Sequence, residues 1–150
     1  MTQEDKELLL KDLCARLPYG VRVFVSGDDF DNYQYPYLLT AISKFGQDSF
    51  CKIYSPIYTP LGCPGIENVK PYLFPLSSMT REQLFEVQEM LGKNEIEVND
   101  GFLHIINSDR NTITYLELLA LLEWFYKNHF DIDNIISKGL AIDATNLNIY

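Results

Sequence analysis

The sequence predicts an α+β domain in which a mostly antiparallel sheet packs against one long central helix and two or three shorter helices. Short segments that alternate apolar and polar residues indicate strands. Two Thr-x-x-Gln/Glu patterns indicate helix starts, and the regular αβ alternation of a parallel sheet is missing. The 150 residues fit a single domain, 1–150, and the 47% hydrophobic content supplies a core without disulfides.

The first half of the chain predicts a helix followed by strands. The helix is expected over residues 3–17, with Thr2 as its cap and Pro18 and Gly20 ending it. The residues expected on its buried stripe have the i, i+3, i+4, i+7 spacing: Leu10, Leu13, Cys14 and Leu17. Strands are predicted over residues 21–25, 35–42 and 48–55, before a long loop over 55–68 that contains three prolines.

Residues 69–83, VKPYLFPLSSMTREQ, predict a strand that leads into a helix. Pro71 and Pro75 have no N–H, so this strand is expected to lie at a sheet edge or to end abruptly. Thr80 and Gln83 form a capping box that begins a helix ending near Leu91. Since each feature has a structural explanation, we interpret the segment as a strand-to-helix connection rather than a binding loop.

The second half predicts a hairpin over residues 94–106 with its turn at Asp100 and Gly101. Thr114 begins the next helix, 115–128, which is apolar on most sides and is therefore the expected central helix. A short helix over 130–139, capped by Asp131, and a last strand over 140–143 complete the chain.

The formal net charge of −9 argues against direct nucleic-acid binding, because phosphate contacts need clustered Lys and Arg. The acidic residues are spread along the chain, as on a solubilising surface, although a DNA-mimicking surface is the alternative. The three cysteines are widely spaced, which predicts reduced thiols and a cytoplasmic protein. We expect no signal peptide and no membrane partner, because no apolar run is long enough.

No motif for metal, phosphate or nucleophilic chemistry is present, so we expect a protein that is not an enzyme and needs no cofactor. His104, in an apolar strand, is expected to be a core or rim histidine, and His129 to be a cation at a helix C-terminus. Cys51 and Cys63 have no local sign of activation. Aromatic and basic residues predict a local site for an anionic ligand: Arg22, Tyr37, Tyr54, Tyr58, Lys70, Tyr72 and Arg81.

Three segments resemble a family of short uncharacterised proteins from gut Bacteroidales and their phages. They are LLLKDLCARLPYGVRV, VKPYLFPLSSMT and EWFYKNHFD with ISKGLAIDATNLNIY, about a third of the chain. The chain departs from the family pattern over residues 26–68 and at Phe125 and Tyr126. The resemblance implies an origin in a phage or mobile element and carries over no catalytic residue.

Two functions follow as the main hypotheses, and a hydrolase that uses His104 or His129 is a third, less favoured one. The first is a non-catalytic accessory protein, an anti-defence factor, that sequesters a small anionic, nucleotide-like host signal. The second is a protein-interaction module whose acidic surface, or sheet edge near Pro71, docks on a host protein. Assembly into a homo-oligomer is compatible with either function.

Overall fold

The computed structural model describes residues 1–27, 36–45, 48–54, 63–92, 95–107 and 113–150. The helices are α1 (Gln3–Arg16), α2 (Arg81–Met90) and α3 (Tyr115–Lys127). The strands are β1 (Arg22–Val25), β2 (Tyr37–Phe45), β3 (Asp48–Tyr54), β4 (Val69–Pro75), β5 (Glu95–Asn99), β6 (Phe102–Asn107), β7 (Phe130–Asp131) and β8 (Ile142–Asp143). Short 3-10 turns occupy Leu17–Tyr19, Ile66–Asn68 and Leu76–Ser78.

The main sheet has the strand order β3-β2-β1-β4-β7, and β8 also pairs with β4. The first four of these strands are antiparallel to their neighbours, whereas β7 and β8 run parallel to β4. β5 and β6 form a separate antiparallel hairpin. The predicted α+β class is therefore confirmed, with a mixed main sheet.

The prediction of one long central helix was wrong. α1 has 14 residues and α3 has 13, so α3 is not the longer of the two. α3 buries Leu121 and Phe125, whereas Leu116 is 75% exposed. α3 has more apolar side chains than its neighbours cover, and the uncovered apolar side chains face solvent.

The buried stripe of α1 is also different from the predicted one. It consists of Leu9, Asp12, Leu13 and Arg16, while Cys14 is exposed. The stripe keeps the expected spacing but is shifted by one residue from the prediction. Asp12 and Arg16 can be buried because they satisfy each other, which hydrophobic periodicity does not register.

Of the two alternatives predicted for this strand, the sheet edge is not observed, because β4 pairs with β1 and with β8, but β4 does end at Pro75. The backbone of β4 alternates between two edges: Asn68 O, just before it, accepts from β1-side Ser26 N, whereas Leu73 O accepts from Ala144 N beside β8. Alternate residues of a strand point their backbone groups to opposite sides, so Pro71 and Pro75 face the same side as Leu73. Within the described residues, the two-residue β8 is the only strand that pairs on that side, so the missing N–H groups of the two prolines leave few hydrogen bonds unmade.

The hairpin prediction was correct, since Asp100 and Gly101 have φ angles of 51° and 79°, as its tight turn requires. The helix predicted over 130–139 was wrong. Asp131 ends β7 instead, and its carboxylate accepts hydrogen bonds from Ile135 N and Ile136 N in the following turns. The expected last strand is present as β8.

The buried apolar residues form two clusters. The first, which we call the α1 core, joins Leu9 and Leu13 to the inner face of β1 to β4. The second, the α3 core, joins Leu121 and Phe125 to α2, the hairpin and Phe130. A cleft lies on the α3-core side, where β4, α2 and the end of α3 meet.

Candidate functional site

The cleft has a volume of about 460 Å³. β4 and the turn after it provide one wall, the start of α2 a second, and the end of α3 with β7 a third. Its lining residues are Phe74, Ser78, Thr80, Gln83, Lys127, Asn128, His129, Phe130 and Tyr150. Pockets of this size hold small molecules in other proteins.

Aromatic rings form a continuous row along the cleft. Phe74 contacts Phe130 at 6.2 Å and Tyr150 at 5.9 Å between ring centroids. Tyr150 stacks on His129 at 3.9 Å with 12° between the ring planes, and Phe130 stacks on Trp124 at 5.6 Å. The rings hold one another in place, and the cleft offers flat apolar surfaces to a ligand.

His129 has an unusual backbone and an unusual charge state. Its φ angle of 58° lies in the left-handed region, at a position after a helix that commonly carries Gly or Asn. Its side chain is only 7% exposed, and the buried Nδ1 has no hydrogen-bond partner in the described part of the chain. Burial, assisted by the Arg16 charge, lowers its pKa to about 4. The predicted helix-terminal cation is therefore wrong, and His129 is neutral at pH 7.

Arg16 lies beneath the cleft and joins α1 to β7. Its guanidinium donates to both carboxylate oxygens of Asp12 at 2.8–3.0 Å, and Nη2 donates to Phe130 O at 2.7 Å. It also lies 5.1 Å from the ring centroid of Tyr126, within cation–π distance. The fully buried Arg16 thus fixes the backbone next to His129.

The Tyr150 hydroxyl connects two strands of the main sheet. It donates to Tyr72 O at 2.8 Å and accepts from Arg22 N at 3.1 Å. These are the next residues along the β1–β4 ladder after the pair Val23 and Pro71, so the hydroxyl stands between the two backbones. Burial raises the pKa of Tyr150 to about 12, so the hydroxyl stays protonated.

Several polar groups at the cleft already form hydrogen bonds within the protein. Thr80 and Gln83 bond each other's backbone N–H in the capping box of α2, and Ser78 Oγ donates to Pro75 O. A hydrogen bond from its own backbone N–H lowers the pKa of Glu82, which occupies the same first turn. The start of α2 is therefore no open anion site, and the exposed Lys127 provides the positive charge of the cleft.

None of the described residues that line the cleft is acidic. The chain as a whole carries a formal charge of −9. The side chains that line the cleft therefore carry no negative charge, in contrast to the chain as a whole.

The predicted site residues are only partly brought together here. The backbones of Arg22 and Tyr72 hold Tyr150, although their side chains do not line the cleft. Arg81 is exposed on α2 between the lining residues Thr80 and Gln83.

The other predicted residues lie elsewhere. Tyr37 is buried opposite Val23 on the α1-core side of the sheet. On the opposite face, Arg22 pairs with Leu38, which pairs in turn with the 41%-exposed Tyr54. Lys70 pairs with Phe24 on that same outer face. Tyr58 lies outside the described residues.

Sequence reasoning missed the residues that line the cleft most directly. Phe74, Ser78 and Thr80 belong to the segment interpreted as a structural connection, and Tyr150 belongs to the tail. The one available signal lay in the segments quoted for the resemblance, because the second and third of them contain eight of the nine lining residues, all but Gln83. Periodicity and motif spacing contain no such signal.

The other candidate chemical groups are separate from the cleft. Burial raises the pKa of the Cys51 thiol to about 12, which makes it a poor nucleophile. His104 is exposed on the hairpin opposite Glu97, not in the core. In the described ranges no three His, Cys, Asp or Glu side chains are grouped to hold a metal ion. None of the helices described is long and apolar enough to cross a membrane.

Comparison of the chain with protein-family models, with curated proteins and with solved structures found no match.

Proposed function

We propose that this protein binds a small planar molecule with an anionic group, such as a nucleotide, in the cleft between β4, α2 and the end of α3. The observation that carries the proposal is an aromatic cleft without acidic lining residues, next to Lys127, in a chain of charge −9. The ring would pack against Phe74 and Tyr150, and the anionic group would face Lys127.

The neutral state of His129 supports binding rather than chemistry. A base that works near pH 7 has a pKa near 7, whereas His129 has a pKa of about 4. Its ring is stacked on Tyr150 and serves as a wall of the cleft. We therefore propose a non-catalytic protein.

The biological role we propose is sequestration. An accessory protein of a phage or mobile element, as the resemblance suggests, would remove a nucleotide-like host signal by holding it. Binding without turnover is sufficient for such an anti-defence role.

Native mass spectrometry of the purified protein, before and after denaturation, tests for a retained ligand. Isothermal titration with nucleoside mono- and triphosphates, cyclic dinucleotides, adenosine and inorganic phosphate then measures which chemistry is required. We expect binding of at least one charged nucleotide and weak binding of adenosine or phosphate alone. No binding by any nucleotide, together with a clean apo mass, would contradict the proposal.

Lys127→Gln locates the ligand. We expect it to weaken nucleotide binding about fivefold, the effect of losing one exposed charge contact. Lys138→Gln is the matched control: hydrogen bonds from Thr2 lower the pKa of Asp5, and the positive charge of Lys138 lowers it further, so Lys138 lies near the start of α1. Asp5 and Arg16 are separated by roughly 16 Å along α1. Because Arg16 lies beneath the cleft, Lys138 is near the opposite end of α1 from the proposed ligand. A loss of binding in Arg22→Gln and Lys70→Gln, with Lys127→Gln unaffected, would place the ligand on the outer sheet face instead.

The second function, docking on a host protein, receives different support. The version that uses the sheet edge near Pro71 receives less support, because β1 pairs with Pro71 on one side of β4 and β8 pairs with the adjacent Tyr72 on the other. The version that uses an acidic surface is favoured by the exposed Glu82, Glu86 and Glu89 of α2.

A further inference from the structure

The outer side of α3 carries more exposed apolar surface than its neighbours cover. Tyr115 and Leu116 are 72% and 75% exposed, and three further large side chains around them are exposed as well. We call this set the α3 apolar face; it consists of Ile113, Tyr115, Leu116, Leu118 and Leu119. A single exposed leucine needs no explanation, but five exposed apolar side chains grouped at the start of one helix mark an interaction surface.

Helix geometry makes most of this face continuous. Leu116, Leu119 and Glu123 follow one another at i, i+3 and i+7, and Ala120 lies between them on the same side. The side that contains Leu121 and Phe125 is buried in the α3 core. The first two turns of α3 therefore present an apolar stripe outward, and the stripe ends at an acidic residue.

The surroundings of the α3 apolar face are acidic. The described residues of the segment 76–127 include eight acidic and only two basic residues. Glu123 is exposed on α3 itself, and α2 exposes Glu82, Glu86 and Glu89. Glu86 accepts a hydrogen bond from Trp124 Nε1 at 3.1 Å, which places α2 alongside α3.

The combination of apolar stripe and acidic surroundings selects one class of occupant. A second copy of the chain would bring acidic groups against acidic groups, which opposes association. A helix with an apolar stripe and flanking Lys or Arg side chains satisfies both features at once. We infer that the α3 apolar face binds a basic amphipathic helical segment of a partner protein.

Synthetic peptides test this inference without an identified partner. The probe is a fluorescein-labelled 18-residue amphipathic helix of Leu and Lys, compared with a scrambled peptide of the same composition and with a Leu/Glu peptide of the same pattern. By fluorescence anisotropy we expect micromolar binding of the Leu/Lys helix and at least tenfold weaker binding of the other two. Equal binding of the scrambled peptide would reduce the interaction to net charge and overturn the inference.

The double variant Leu116→Gln, Leu119→Gln locates the binding surface. We expect it to weaken peptide binding at least tenfold, whereas Leu147→Gln, at an exposed leucine outside α3, leaves it unchanged. Fluorescence of Trp124, the single tryptophan, verifies that each variant is folded. Unchanged binding in the double variant would overturn the inference. So would sedimentation velocity showing a wild-type dimer that the double variant abolishes, because the face would then bind a second copy.

Discussion

The helices α1 and α3 are similar in length but use their apolar residues differently. α1 buries Leu9 and Leu13 completely against the main sheet, and its remaining surface is mostly charged. α3 is far more apolar, yet most of its leucines are half-buried or exposed. The difference shows that apolar content does not place a helix at the centre of a fold. α1 faces a four-stranded sheet, whereas α3 packs against α1, α2, β7 and the apolar residues of the hairpin, which leave much of its apolar surface exposed.

Arg16 is where these two regions meet, so its replacement is the strongest way to separate them. We expect Arg16→Met to lower the free energy of unfolding by about 3–5 kcal/mol, because Asp12 is left charged and buried without its partner. Urea denaturation measures the loss. The double variant Asp12→Leu, Arg16→Met should recover most of it, since no unpaired charge remains. A single variant within about 1 kcal/mol of wild type would mean that the junction contributes little.

Truncation of leucine sharpens the contrast between the two helices. Leu13→Ala should cost about 2–5 kcal/mol because it opens a cavity in the α1 core, whereas Leu116→Ala should change stability by less than about 0.5 kcal/mol. Urea denaturation of both variants gives the difference directly. Similar losses in the two variants would show that the outer side of α3 is covered in solution.

The pH dependence of stability reports on the buried ring of the cleft. His129 has a pKa of about 4 when folded and 6.5 as its ordinary value, so the unfolded chain takes up the proton first as the pH falls. Stability should therefore be unaffected by His129 above pH 6.5 and decrease by about 3 kcal/mol between pH 6.5 and 4.

Urea denaturation at pH 7, 5.5 and 4.5 measures this decrease. His129→Asn, whose side chain tolerates a positive φ, should reduce the slope, while His104→Gln, at an exposed histidine, should preserve it. The same slope in wild type and His129→Asn would assign the pH dependence to other groups.

The smallest expected effect concerns the start of α3. Thr114→Ala removes the cap, in which Thr114 Oγ1 accepts from Glu117 N at 3.2 Å, and should cost about 1 kcal/mol. Because the first turn of α3 carries Tyr115 and Leu116, the variant should also weaken binding of the Leu/Lys peptide. Thr114→Ser keeps the hydroxyl and should behave as wild type in both denaturation and anisotropy measurements. If Thr114→Ala lowered stability but left peptide binding unchanged, the first turn of α3 would not be part of the peptide-binding surface.

Part of the candidate site was within reach of sequence reasoning. Of the residues expected at a ligand site, Arg22 and Tyr72 lie beside the cleft, where their backbone groups bond to the Tyr150 hydroxyl. It could not place Lys127 or Tyr150, because residues from β4, α2, the end of α3 and the tail meet only in three dimensions. His129 was misread for the same reason: a helix C-terminus favours a cation, but burial against Tyr150 and beside Arg16 opposes the charge more strongly.

By itself, the sequence determined the local structure: the three Thr-capped helices, the strands with alternating residues and the tight turn at Asp100 and Gly101. These features depend on backbone preferences and on contacts between residues close together in the chain. Only the tertiary structure decided that β4 is an interior strand, that α3 keeps an apolar side exposed and that a neutral histidine lines a cleft. Each of these depends on which distant segments cover a residue, and coverage is a property of packing that no local pattern encodes.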